Sequence, residues 1–196
     1  MKNKTFNLRN EYKTSWRYIL ESKKFIYAII FIFFFFTLIG FLFPAPSFLS
    51  NYILDYLKNL LEQTNGFNQI HWIGFIFFNN LQSSFFGMIF GIIFGVLPFV
   101  EALVNGYLLG FVSSISVKEQ GFFVLWKILP HGVFELPAIF ISLGLGLRLG
   151  TFIFQEKKKK HFKELLFNSF RVFFYIVIPL LFIAAIIEGT LIFFAG

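Results

Sequence analysis

His131 and Glu135 stand four residues apart in Leu129-Pro130-His131-Gly132-Val133-Phe134-Glu135, so on a helix they share one face. An imidazole and a carboxyl at that spacing can hydrogen-bond each other and tie helices together. They can also form part of a proton or ion path in which the acid toggles, or share a metal in an acid–base site. A zinc-protease signature needs a second helical histidine and a glutamate beside the first, and neither is present. No nucleophile, base and orienting group occur together in a pattern that would make a catalytic set. No catalytic residue, metal or cofactor is therefore assigned. The other polar groups in the same company are Asn79, Asn80, Glu101, Asn105 and Glu188, each within an otherwise apolar run.

Those runs say what must position them. The 196 residues are 57% hydrophobic and 14% charged, a balance outside that of soluble domains, and the length suits about five spans of roughly 20 residues. The expected fold class is all-α, a polytopic membrane helical bundle of about five transmembrane helices. With no cysteine, disulfides and thiol chemistry are excluded. The 34 phenylalanines fit a compositional bias as well as any aromatic function.

Charge sets the topology. Residues 1–24 hold seven basic and two acidic side chains, residues 148–171 hold the same numbers, and the remainder sums to −3. Two basic blocks separated by apolar spans are the positive-inside pattern, which places both blocks and the N-terminus in the cytoplasm of a plasma-membrane protein. The run Lys157, Lys158, Lys159 and Lys160 reads as a contact for anionic lipid headgroups. Nucleic acid is not an expected partner, because the charge does not gather on one solvated face.

In chain order, residues 1–24 form a basic cytoplasmic segment, a short amphipathic helix or frayed tail, and 25–43 an uncleaved first span. Residues 44–71 form an outer loop carrying an amphipathic helix, with Tyr52, Ile53, Tyr56, Leu57, Leu60 and Leu61 at helical spacing. Residues 72–150 form a polar and glycine-rich core of three helices. The second span runs from Trp72 to Leu97 and stops at Pro98; on it Asn80, Ser84, Gly87, Gly91 and Gly95 share one face, which invites close packing within the bundle or between copies. The third, Phe99–Ser116, carries Glu101, Asn105, Gly106 and Gly110, followed by a loop over 117–129. The fourth starts at Pro130, where a missing N–H costs least, and ends at Gly150. Residues 151–170 form a basic cytoplasmic loop and 171–196 the last span. A three-span version, with 98–129 re-entrant, satisfies the charge rule equally.

Depth then sorts the polar groups. Asn80 falls roughly 12 Å below the outer surface, His131 and Glu135 lie in the outer turns of their span, and Glu188 lies roughly 25 Å from the inner surface. The expected site is an outer-side cluster of Asn80, His131, Glu135 and Glu188, with an inner polar cap at Glu101 and Asn105. Ionisable groups at such depth are costly unless they face inward and pair.

The order Asn79/Asn80, the glycine face, Asn105-Gly106, Leu129-Pro130-His131-Gly132 with Glu135, and Gly144-x-Gly146-x-Arg148-x-Gly150 resembles the stage II sporulation protein M family of multipass membrane proteins, over roughly residues 70–195. The resemblance implies about five spans and, in spore formers, a septal-membrane scaffold that holds extracytoplasmic peptidoglycan-cleaving partners. It supplies no catalytic residues. The expected function is a membrane scaffold that recruits extracytoplasmic proteins, lies in the lipid bilayer, can homo-oligomerise and performs no catalysis. The alternative is a transporter or proton-coupled permeation component using the buried glutamates and histidine.

Overall fold

A single stripe of buried side chains on the first helix sets the frame. The computed structural model describes residues 7–43 and 45–195, and side chains outside 126–131 and 195. Helix α1 spans Leu8–Leu42 and is capped by Asn7, whose side-chain oxygen accepts the Arg9 N–H at 3.0 Å. Ser15, Tyr18, Ile19, Ser22, Ile26, Ile29 and Phe33 are buried along it at steps of three and four. That stripe crosses the polar-to-apolar junction at Lys24 without a break. The expected separation of 1–24 from the first span is therefore corrected: the polar segment is the first half of one 35-residue helix.

Helix α2 (Ser47–Gln63) is the expected amphipathic segment, and only Ile53 on it is buried. Helix α3 runs Gln69–Ile89, capped by Asn68, and ends in a 3-10 turn, Phe90–Ile92. The chain reverses at Phe94 and Gly95, both with positive φ, and α4 spans Val96–Gln120. Two expectations fail here. Gly95 is not on the α3 face but in the reversal, at φ 70°, where a side chain would be strained. Pro98 does not end a helix; it sits in the first turn of α4, where its missing N–H breaks no helical bond.

Gly121, at φ 81°, closes α4, and a 3-10 turn over Phe122–Val124 leads straight into α5 (Leu125–Gly150). The expected loop over 117–129 and the start at Pro130 are thus corrected. A turn this short leaves no linker, so the helix begins five residues earlier and passes through Pro130. The carbonyl that Pro130 frees belongs to Trp126, in the first turn of the helix. Helix α6 (Lys158–Val172), a π-helical turn (Phe173–Val177) and α7 (Ile178–Ala195) form one continuous segment. Pro179 cannot donate to the Tyr175 carbonyl, which explains a wider turn at that point.

Among the described residues, five segments are long and apolar enough to cross a membrane: Leu8–Leu42, Gln69–Ile92, Val96–Gln120, Gly132–Phe154 and Lys158–Phe194. Helix α4 is among them as one unbroken 25-residue helix, long enough to cross, which counts against a re-entrant 98–129. Helix α5 is central and touches α1, α3, α4, α6 and α7. Ala138, Leu143, Leu145 and Leu149 on it are almost wholly buried.

Glycine makes these contacts close. Gly106 and Gly110 on α4 face the backbone of Phe33 and Thr37 on α1, and Gly40 on α1 faces Tyr107 and Phe111. Gly144 sits against the backbone of Ile26, and Gly146 against that of Gly87 and Met88. In lipid, where apolar burial gives little preference for protein over solvent, this contact between backbones replaces the hydrophobic effect as the source of association. A methyl group on Gly110 would meet the Thr37 carbonyl oxygen and lie 2.8 Å from the Phe41 nitrogen, whereas one on Gly74 meets nothing within 4 Å. Gly110→Ala is expected to destabilise the folded protein by about 1–3 kcal/mol. Gly74→Ala should be neutral or stabilising by about 0.5–1 kcal/mol. Thermal unfolding of both variants in detergent checks the pair; equal effects would refute the packing assignment.

Candidate functional site

Both basic blocks meet at one end of the bundle. Arg171 on α6 donates from Nε to Glu11 on α1 at 2.7 Å, and the Tyr18 hydroxyl donates to the Leu165 carbonyl at 3.4 Å. Arg148, near the end of α5, donates to the Ser22 hydroxyl at 2.7 Å, lies 3.7 Å from Glu21 and stacks 4.2 Å from the Tyr18 ring centre. This junction of α1, α5 and α6 was legible only as the basic residue of a glycine-rich helix end. Its partners are more than 120 positions away in the chain. Lys157 to Lys160 open α6 and are exposed. Four cations at a helix N-terminus oppose the helix dipole, and only Lys160 gains an ion pair among the described residues, with Glu164 at 4.0 Å.

The acids gather towards the opposite end. Glu135 on α5 hydrogen-bonds the Glu188 carboxyl on α7 and the Asn80 side chain on α3. Three of the four residues expected in the outer cluster are therefore brought together, one from each of three helices. The fourth, His131, lies one turn before Glu135 on α5, but its side chain is outside the described residues. Asn79, one position from Asn80, is exposed.

The seam between α3 and α7 explains why Glu188 can reach. Gln69 donates to the Thr190 hydroxyl at 3.0 Å, and Gly189 lets the Ile73 backbone approach. Farther along, the rings of Phe77 and Phe182 meet edge to face at 5.7 Å. Gln69, Thr190 and Gly189 were not singled out from sequence. The small residue beside Glu188 was the available signal.

Glu101 and Asn105 do not form a cap with the acid pair's chemistry. They line one groove, of about 400 Å³, between α3 and α4. Ser83 on α3 donates to the Glu101 carboxyl. Gly87 leaves room for that carboxyl, since a Cβ there would collide with it and with Leu143. Gly91 faces the Gly146 backbone and Gly95 faces Leu147, so the glycine face expected on the second span is used within the chain. Across the groups available, the arrangement can fasten helices and expose one carboxyl to a groove.

Comparison with known proteins finds relatives of this chain. The family model described as Stage II sporulation protein M matches residues 29–191. An uncharacterized protein of Methanocaldococcus jannaschii is 31% identical over 115 residues, 56% of this chain and 65% of that protein. The match thus spans a little less than two thirds of that relative's length. No solved structure matches the chain.

If the carboxyl pair fastens α5 to α7, Glu135→Leu and Glu188→Leu are not independent. The double variant should lose less stability than the two single variants added, with a coupling of about 0.6–1.7 kcal/mol. Reversible unfolding in mixed micelles measures it, and strict additivity would show that the two groups do not act together.

Proposed function

We propose that this chain, which belongs to the stage II sporulation protein M family, is a non-enzymatic scaffold of the plasma membrane that holds extracytoplasmic partner proteins. In this reading the basic end lies in the cytoplasm, following the positive-inside rule. The exposed lysines Lys157–Lys160 then rest on anionic headgroups, an arrangement that repays their unfavourable position at a helix N-terminus.

The observation that carries the reading is the contrast between a locked bundle and a loosely held helix at its non-basic end. The spans are fixed by glycine contacts between backbones, which leave little freedom for the sliding or rocking that alternating access needs. Helix α2 is different. It buries Ile53 alone and turns Asp55, Lys58 and Glu62 away from the apolar stripe of Leu49, Tyr52, Ile53 and Tyr56. A helix held so lightly on a rigid base suits the capture of a partner from the non-cytosolic side.

A second reading, proton-coupled permeation, draws on the buried Glu135–Glu188 pair. One experiment separates them. A photoreactive amino acid placed at Asp55 or Lys58 should cross-link a protein partner in intact cells. That cross-link should persist at wild-type yield in the Glu135→Gln/Glu188→Gln protein, which should show no altered proton flux in proteoliposomes. Loss of flux at normal abundance, with no protein cross-linked from α2, would replace the scaffold with a transporter.

A further inference from the structure

Two hollows on the side of the bundle share two lining residues. The first is the groove between α3 and α4 that contains Ser83, Gly87 and Glu101. The second, about 630 Å³, is floored by Phe36 and Ile39 of α1 and Tyr107 and Leu108 of α4, and roofed by Tyr52 and Tyr56 of α2. Val104 and Asn105 line both, so the two adjoin along α4. Each volume falls in the range of roughly 300–1,000 Å³ typical of small-molecule sites.

The chemistry changes along this path. At the α3–α4 end sits a carboxyl group. Among the described residues it is hydrogen-bonded by Ser83, and no lysine or arginine forms an ion pair with it. Around it, Phe86, Phe90, Val100 and Val104 are each about two-fifths or more exposed, so the groove opens sideways, towards hydrocarbon in a membrane. A carboxyl so placed is costly without a complement. At the α2 end the lining is almost wholly aromatic and aliphatic.

The levels also match a lipid. Glu101 lies five residues into α4, roughly 8 Å in from the basic end of the bundle, where headgroups give way to chains. From there the lining follows α4 as far as Leu108 and meets Phe36 and Ile39 in the last two turns of α1. A molecule lying in it would place its polar end near a membrane surface and its hydrocarbon towards the bilayer centre.

We propose that these adjoining hollows together bind a membrane lipid whose headgroup ends in an ammonium group, with the ammonium on Glu101 and Ser83 and one hydrocarbon chain under α2. Glu101 selects the headgroup by charge, and Gly87 keeps the carboxyl reachable. Helix α2 closes over the chain without packing on α1 and α4, which accounts for its single buried residue. The site is independent of the Glu135–Glu188 pair, which joins other helices.

The test uses the full chain in nanodiscs containing a trace of photoreactive phosphatidylethanolamine or, separately, photoreactive phosphatidylglycerol with the same chains. Labelled peptides are mapped by mass spectrometry. The amine lipid should label α2 and α4 peptides at least fivefold more than the glycerol lipid. Glu101→Gln should bring that ratio near one, and Val104→Trp, at a half-exposed position, should remove labelling by both. A competition on the unaltered protein guards against misfolded variants: a long-chain alkylammonium should suppress labelling and the matching alkyl alcohol should not. Equal labelling by the two lipids, labelling indifferent to both substitutions and to the alkylammonium, or cross-links to a second copy of the chain in place of lipid would each overturn the proposal.

Discussion

The closeness of backbone to backbone around α5 is the constraint on which the remaining structure depends. In a bilayer, moving an apolar side chain from lipid to protein gains little, so helices associate where small residues allow extended van der Waals contact. Here Gly144 and Gly146 set α5 against α1 and α3, Gly106 and Gly110 set α4 against α1, and Gly189 sets α7 against α3. The chain supplies Gly40 from the opposite side, so α1 and α4 approach through small residues on both helices. With the helix axes fixed in this way, polar groups on different helices fall within reach of one another.

The acids illustrate the consequence. Glu135 and Glu188 are 53 positions apart in the chain, yet share a hydrogen bond because α5 and α7 are held together over their length. Burying a carboxyl at this depth is costly, and here Glu135 has both Glu188 and Asn80 as polar partners. The same logic treats Glu101 differently. It has Ser83 on one side and a laterally open groove on the other, so its surroundings complete only part of its hydrogen-bonding capacity. One acid site is closed and fastens helices. The other is open and faces outward.

At the basic end the long first helix becomes more than a membrane anchor. Its polar half buries Ser15, Tyr18 and Ser22, and meets Arg148, Leu165 and Arg171 from α5 and α6. The charged pairs there are partly buried and include hydrogen bonds, which makes them firmer than isolated surface ion pairs. The two ends of the bundle therefore use different chemistry: ion pairs and cation–π contact at one, side-chain hydrogen bonding such as Gln69 to Thr190 at the other.

Composition and periodicity alone determined the class of this protein, the five apolar segments, the amphipathic character of α2 and the small-residue faces of α3 and α4. These follow from local quantities, since hydrocarbon rejects unpaired polar backbone and demands long apolar helices. Depth along each span was enough to place Asn80, Glu135 and Glu188 at one level. Rotation about each helix axis, and which helix stands beside which, belonged to the tertiary structure. Only that could show Ser83 on Glu101, Arg148 against Tyr18 and Ser22, or the groove roofed by α2. Helix ends were also decided there: Gly95 left the α3 face for a reversal, and α5 began before Pro130, because the short connections required by neighbouring helices outweighed the local preferences of glycine and proline.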